Sequence, residues 1–148
     1  MAGQTHINRG VTLVELDATT CKTRYRQRFD THASADDRAQ LLGTLERATV
    51  GTIIIGVTAD SAEHDGALRG IAGSFFKKYN MNLTGLVSRG KFAFIMQKGY
   101  PKKTIFQING RYGRSTVIHA ALLGKLGNQS QSSFLKAIVN FGISNALL

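Results

Sequence analysis

Residues 51–58 read Gly-Thr-Ile-Ile-Ile-Gly-Val-Thr, a short apolar run without a charged side chain. A run of this length and β-branched content is typical of a strand covered on both faces, because a half-buried strand alternates apolar with polar residues. We therefore predict that residues 51–58 form a central strand of a sheet. The remaining elements are interpreted as strands and helices that pair with this strand or pack on its sheet.

Two further strands are predicted before this segment. Residues 11–17 alternate apolar with polar side chains, which indicates a half-buried strand. Residues 21–29 place Cys21, Tyr25 and Phe29 on one face, and a lysine and three arginines on the other. The two strands are predicted to form a hairpin whose outer face is cationic.

Two amphipathic helices are predicted to pack on this sheet. The first covers residues 35–48, and Ser34 followed by Asp37 resembles a capping box at its start. The acidic residues of its first turn also suit the positive end of a helix. The second helix ends near residue 79 and carries apolar side chains at helical spacing.

The element order is β-β-α-β-α-β-β, with the last two strands at residues 92–96 and 104–108. This order predicts an α+β domain with a twisted, mixed or antiparallel sheet, arranged as a sandwich with two packed helices. The domain is expected to span residues 1–109. Residues 110–148 are interpreted as a basic and apolar C-terminal extension for docking or assembly.

The extension ends in an apolar segment, residues 134–148, in which Lys136 is the one charged side chain. Its apolar residues recur at helical spacing, and in water they would form an exposed hydrophobic patch that favours association. We therefore predict that the segment docks on its own domain or on another chain. The candidate interface residues are Phe134, Leu135, Ile138, Phe141 and Leu147.

The formal net charge of +10 is distributed unevenly along the chain. All nine acidic residues lie between Glu15 and Asp65, whereas residues 66–148 contain 12 Lys or Arg and no Asp or Glu. A cationic half attracts polyanions or acidic protein faces. Acidic or apolar faces of other chains are the expected partners, and nucleic acid is the alternative.

Residue types that serve in catalytic and metal sites are scattered through the chain. The four histidines show no metal-ligand spacing, and Cys21 has no second cysteine for a disulfide or redox pair. His32, in the Phe-Asp-Thr loop before the first helix, is assigned a packing or loop role. We therefore expect a chain that is not an enzyme and that uses no metal and no cofactor.

The N-terminal residues lack the apolar segment of a signal peptide, and no run of about 18 apolar residues predicts a membrane span. Together with the lone cysteine, this favours synthesis in a reducing compartment. The sequence leaves the final localisation open, with a virion as one candidate.

Five blocks of the sequence keep a characteristic order and spacing. They are Asn8-Arg9-Gly10-Val11 with Asp17 and Thr20 after it, Phe29-Asp30-Thr31, Gly51-Thr52-Ile53, the helix with Leu68 and Ile71, and Ser88-Arg89-Gly90-Lys91-Phe92-Ala93-Phe94 followed by Lys98-Gly99. Together, over about residues 8–106, they resemble the ILEI/PANDER family of interleukin-like EMT inducer domains.

The resemblance implies a sandwich-like domain without catalytic residues. Such domains occur in secreted signalling proteins, in the sugar-binding stem of a glycosyltransferase and beside hyaluronan-processing domains. By the same resemblance, the candidate ligand-binding residues are Arg9, Asp60 and Arg89.

The chain departs from the family pattern at several positions. It has Ala59-Asp60 where the family has an acidic pair, and it lacks the cysteines of the secreted members. It also lacks the family's tryptophan near Arg89. Because sugar binding usually includes an aromatic ring, Tyr79 or Tyr100 would have to supply it.

The sequence as a whole predicts a non-catalytic recognition and structural module. The missing leader and missing disulfides favour a subunit of a large assembly, such as a virion or a phage tail, over a secreted cytokine. A glycan is the candidate ligand. The alternative is a nucleic-acid-associated basic protein, which the cationic second half would suit.

Overall fold

The computed structural model describes residues 9–109. Every predicted element is present there, in the predicted order. The elements are β1 (Gly10–Leu16), β2 (Thr23–Phe29), α1 (Ala35–Arg47), β3 (Ile53–Ala59), α2 (Ala67–Lys78), a 3-10 turn (Leu83–Gly85), β4 (Lys91–Gln97) and β5 (Tyr100–Asn109). The predicted C-terminal extension, with its interface residues Phe134, Leu135, Ile138, Phe141 and Leu147, lies outside the described residues, and the boundary at residue 109 stays a prediction.

The strands form one five-stranded sheet in the order β2-β1-β3-β4-β5, and every neighbouring pair is antiparallel. The central position predicted for residues 51–58 is confirmed, and of the two predicted kinds of sheet, mixed or antiparallel, the described strands form the antiparallel one. The α1 crossover does make β2 and β3 run in the same direction, but β1 lies between them, so no neighbouring pair in the described sheet is parallel. Residues 9–109 contribute one sheet, and the sandwich stays a prediction.

Two segments differ from their predicted bounds because of tight turns. Cys21 lies in the turn before β2 with a φ of +58° and is not part of the strand. Strand β5 begins at Tyr100 instead of residue 104, because Lys98-Gly99 forms a short hairpin turn after β4. Pro101 is tolerated in β5 because this strand lies at the edge of the sheet.

Both helices pack on one face of the sheet, which we call the helix face. Phe76 of α2 is fully buried there, in edge-to-face contact with Phe92 and Phe94 at ring-centroid distances of 5.5 and 5.4 Å. Contacts of this kind stabilise a core beyond the apolar area that they bury. The strands contribute Val11, Leu13, Phe29, Ile54 and Met96 to the same cluster, and the helices contribute Leu41, Leu45, Leu68 and Ala72.

The opposite side of the sheet, which we call the second face, is also apolar. Its buried residues are Val14, Leu16, Ile53, Ile55 and Ile95. The register of β1 with β2 places Arg26 and Arg28 on the same side, at the edge of the sheet, where both are exposed. The predicted cationic outer face of the hairpin is therefore confirmed.

Helix α1 begins as predicted at Ser34, whose Oγ accepts a hydrogen bond from the N–H of Asp37 at 3.0 Å. The Asp37 carboxylate does not return to Ser34, as it would in a capping box, but accepts from the N–H of Asp30 at 2.6 Å. The start of α1 is thereby tied to the end of β2.

The turn between β1 and β2 is organised by the carboxylate of Asp17. Its Oδ1 accepts from the N–H of Thr20 at 2.8 Å and from that of Thr19 at 2.9 Å, and its Oδ2 pairs with Arg24. The backbone hydrogen bond from Thr20, followed by that from Thr19, lowers the pKa of Asp17 to about 2. Hydrogen bonds have this effect because they stabilise the ionised form.

We expect the Asp17 carboxylate to stabilise the folded chain above about pH 4 and to lose this effect as the pH falls toward about 2. The sign follows because the folded pKa lies below the ordinary value of 3.8, so the unfolded chain binds the proton more readily. The measurement is the free energy of unfolding of the wild type and of Asp17→Asn across this range. The difference between the two proteins should shrink toward low pH; a constant difference would contradict the charge-based role.

Candidate functional site

The residues predicted as a ligand site, Arg9, Asp60 and Arg89, lie at one end of the sheet. Arg9 directly precedes β1, Asp60 directly follows β3, and Arg89 lies just before β4. The antiparallel registers place these strand ends side by side, together with the end of β2 and its Asp30. We call this region, with the connecting residues 60–66, the loop end.

Arg9 is held by a two-pronged ion pair with Asp30. Its Nε donates to Oδ1 at 3.0 Å and its Nη2 donates to Oδ2 at 2.8 Å, with both side chains 25% exposed. This hydrogen-bonded contact raises the pKa of Arg9 and lowers that of Asp30. A guanidinium has further N–H donors, so the pair orients Arg9 without using all of its hydrogen-bonding capacity.

Asp60 and Arg89 are exposed side chains on unusual backbone. Their φ angles are +55° and +63°, in the left-handed region that residues other than glycine rarely adopt. The structure pairs Arg9 with Asp30 and not with Asp60, although the charge of Asp60 contributes to raising the pKa of Arg9. Strained backbone of this kind persists where the surrounding contacts hold it.

Two backbone hydrogen bonds hold Asp60 and Arg89 in place by joining the segment after β3 to the segment before β4. The N–H of Arg89 donates to the carbonyl of Glu63 at 3.1 Å, and the N–H of Ala62 donates to the carbonyl of Gly90 at 3.2 Å. The segment before β4 is therefore fastened to the segment after β3. This fastening sets the separation between the backbones that carry Asp60 and Arg89.

Glu63 organises the loop end from inside, although it was not among the predicted site residues. Its fully buried carboxylate accepts from the N–H groups of His64 at 2.8 Å, Leu68 at 3.1 Å and Arg69 at 3.0 Å. Helix α2 starts after Gly66, which has no capping side chain. Leu68 and Arg69 are the positions whose N–H groups an N-cap residue normally satisfies, so Glu63 caps α2 from a distance.

His32 fastens the same loop to the start of α1. Its Nδ1 lies 2.9 Å from Ser61 Oγ and 3.1 Å from the carbonyl oxygen of Glu63, and its ring centroid lies 4.9 Å from that of His64. Of the predicted packing or loop role of His32, these hydrogen bonds show the loop role. Although Ser61 and His32 are hydrogen-bonded, Ser61 is only 2% exposed and also donates to Glu63 O at 3.2 Å. The pair therefore stabilises the loop.

The aromatic ring expected beside Arg89 is not supplied by either tyrosine. Tyr79 is 3% exposed, and its hydroxyl accepts from the N–H of Gly99 at 3.0 Å. Tyr100 starts β5 at the far end of the sheet, about 20 Å away along a seven-residue strand. The expectation that Tyr79 or Tyr100 serves the site is wrong, because both lie at the opposite end. His64, whose side chain is 56% exposed, presents a planar ring at the loop end.

Among residues 9–109, no group of three or more His, Cys, Asp or Glu side chains is arranged to hold a metal ion. Within that same range, no helix is long and apolar enough to cross a membrane.

The family model of the interleukin-like EMT inducer (ILEI) matches residues 9–100. The matched range runs from Arg9 to the first residue of β5 and includes the whole loop end. No curated protein matches the chain significantly. The match covers more than half of the 148 residues and agrees with the five sequence blocks. The chain therefore belongs to the interleukin-like EMT inducer family.

Proposed function

We propose that this domain is a non-catalytic recognition module whose loop end binds a carbohydrate, and that it serves as a structural subunit of a larger assembly such as a virion or a phage tail. The observation that carries the proposal is the convergence of Arg9, Asp60 and Arg89 at one end of the sheet.

The chemistry of these side chains suits sugar hydroxyl groups. A hydroxyl both donates and accepts hydrogen bonds, so it pairs with the carboxylate of Asp60 and with the guanidinium groups of Arg9 and Arg89. The imidazole of His64 is exposed at the same end and offers a flat surface to a sugar ring. No charge on the ligand is required, because both signs are present in the site.

The site is also held in place before any ligand arrives. Asp30 orients Arg9, and the backbone hydrogen bonds of Ala62 and Arg89 connect the two loops. A preorganised site loses less conformational entropy on binding, which supports a recognition role.

The absence of enzymatic activity is part of the proposal. The carboxylate of Glu63 is buried and accepts backbone hydrogen bonds, and the hydroxyl of Ser61 is buried against a carbonyl oxygen. Cys21 lies in the turn between β1 and β2, at the other end of β1 from Arg9. Binding groups therefore face solvent at the loop end, while these potential nucleophiles and bases hold the loop or lie away from it.

Arg89→Lys is expected to weaken glycan binding by about tenfold or more, because an ammonium group cannot reproduce the two parallel hydrogen bonds of a guanidinium. The full chain is screened on a glycan array, and the affinity for the best ligand is measured by calorimetry. Arg47→Lys, in the last turn of α1 at the opposite end, is the matched control and should bind like the wild type. A blank array, or equal affinity in Arg89→Lys, would contradict the proposal.

Nucleic-acid association is the second candidate function, and the edge strand β2 favours it. Arg24, Arg26 and Arg28 alternate along β2 and are exposed, which is a suitable surface for a polyanion. Binding of single-stranded DNA or RNA with a steep inverse dependence on salt would support this function. Stable stoichiometric co-purification with acidic partner chains would instead support the role as a structural subunit of a larger assembly.

A further inference from the structure

The second face of the sheet is buried more completely than the described residues explain. Val14 is 1% exposed, Ile53 0%, Ile55 3% and Ile95 4%. On the open face of a single sheet, neighbouring strands shield the sides of such residues but leave their ends in water. Values close to zero therefore require atoms above the face.

The described residues place few apolar groups over that face. Both helices pack on the helix face, and apart from the strand residue Ile105 the apolar contributions from residues 9–109 are Ala18 and Cys21. Arg26 and Arg28 lie on the same side, on the edge strand β2, and are exposed. The small side chains of Ala18 and Cys21 belong to the turn between β1 and β2, at one end of the sheet. Ile55 and Ile95 are paired with each other, and they lie two residues further from this turn than the Leu16–Ile53 pair.

We propose that the second face is the docking site of the apolar segment 134–148 of the same chain. This segment has eight large apolar residues and a single charged one, Lys136. Each large apolar side chain contributes about 1.5 to 3 kcal/mol when it is fully buried. The composition of the segment matches a face whose centre is Val, Leu and Ile.

The length of the connecting chain fits docking within one molecule. The linker of residues 110–133 is 24 residues long and starts at the end of the edge strand β5. A chain of 24 residues spans at most about 80 Å when it is fully extended. The face of the five-stranded sheet is about 20 Å wide, so the segment reaches all of it.

The size of the segment fits as well. Fifteen residues in helical form are about 22 Å long, which is close to the width of the sheet. Phe134, Ile138 and Phe141 recur at helical spacing and would form the stripe that faces the sheet. A second copy at micromolar concentration competes poorly with a tethered segment, whose effective concentration is on the order of millimolar.

If residues 134–148 cover the second face of their own chain, they form the third layer of the domain and are not an interface for other chains. The partner-binding surface of an assembly subunit would then lie elsewhere. The inference is independent of sugar binding at the loop end, and either can fail alone.

Cys21 provides a direct test, because this single cysteine of the chain packs at the rim of the second face and is half-buried. In the full chain, Ile138→Asp is expected to raise the rate of Cys21 modification by a thiol reagent about tenfold or more, since the segment no longer covers it. Ser132→Asp in the linker is the matched control and should leave the rate unchanged. Circular dichroism and cooperative unfolding establish that both variants remain folded.

A second measurement needs no substitution. A short amine-reactive cross-linker on the monomeric fraction of the wild type should join Lys136 to Lys22 or Lys91, which flank the second face. Cross-links from Lys136 to Lys77 or Lys78 of α2 would overturn the proposal, because that helix lies on the other face. An unchanged Cys21 rate in folded Ile138→Asp would also overturn it, as would cross-links found only between two copies.

Discussion

Gly10→Ala is expected to lower the free energy of unfolding by at least about 4 kcal/mol, which is at the extreme of single substitutions. Gly10 has a φ of +97°, and a Cβ atom there would lie 1.9 Å from the carbonyl oxygen of Phe29 and 2.9 Å from the Cα of Asp30. Both neighbours are backbone atoms of β2 and its end, so they cannot move aside as a flexible side chain would. The strand would have to separate from β2 next to the Arg9–Asp30 ion pair.

Gly51→Ala is the matched control for this experiment. Gly51 has a similar φ of +93°, but a Cβ atom there would meet nothing within 4 Å. Gly51→Ala should therefore lower the free energy of unfolding by about 1 to 2 kcal/mol, which is the cost of the strained backbone alone. Denaturant unfolding of the full-length variants compares the two. Equal losses would show that β1 and β2 can relax at Gly10 and that the close approach is not essential.

Glu63→Ala is expected to lower the free energy of unfolding by about 2 to 4 kcal/mol, because three buried or partly buried backbone N–H groups lose their acceptor. The loss also removes the negative charge at the positive end of α2 and the ion pair with Arg69, whose Nε lies 3.6 Å from the carboxylate. Since the carbonyl of Glu63 also holds Arg89, loosening this loop should weaken ligand binding at the loop end.

Glu46→Ala is the control for Glu63→Ala. Glu46 is an exposed glutamate near the end of α1, so its removal should change stability by less than about 0.5 kcal/mol. Thermal or denaturant unfolding measures both variants. If the two substitutions had the same small effect, capping of α2 by Glu63 would not contribute to stability.

The candidate site was only partly accessible to sequence reasoning. Arg9, Asp60 and Arg89 came from blocks that resemble a family, and the structure places them at one end of the sheet. Asp30 was visible in the Phe-Asp-Thr block, but its ion pair with Arg9 was not. Glu63 carried no signal, because it lies four residues before the start of α2 instead of at the capping position. A side chain that caps a helix from a preceding loop has no fixed spacing in sequence from the start of that helix.

The aromatic expectation failed for a related reason. Tyr79 and Tyr100 are aromatic residues with a polar hydroxyl, which suits a sugar site. The end of the sheet at which each of them lies depends on the direction of the neighbouring strands. Tyr79 follows α2, whose C-terminal end lies away from the loop end. Tyr100 follows the turn between β4 and β5, which also lies away from the loop end. Neither position can be assigned to an end of the domain until the strand order is known.

The sequence by itself determined the elements of this protein, because their causes are local. Alternation of side chains defines a strand, spacing of three and four residues defines a helix, and Ser34 before Asp37 marks the start of α1. The apolar run at residues 51–58 likewise required a central position, because both of its faces had to be buried.

Only the tertiary structure decided how these elements are arranged. It inserted β1 between β2 and β3, which made every neighbouring pair antiparallel, and it brought Arg9, Asp30, Asp60 and Arg89 to one end. It also separated a face covered by helices from a second face that the described residues leave without a layer of their own. Such arrangements depend on contacts between residues distant along the chain, and many different pairings of strands satisfy the same local patterns.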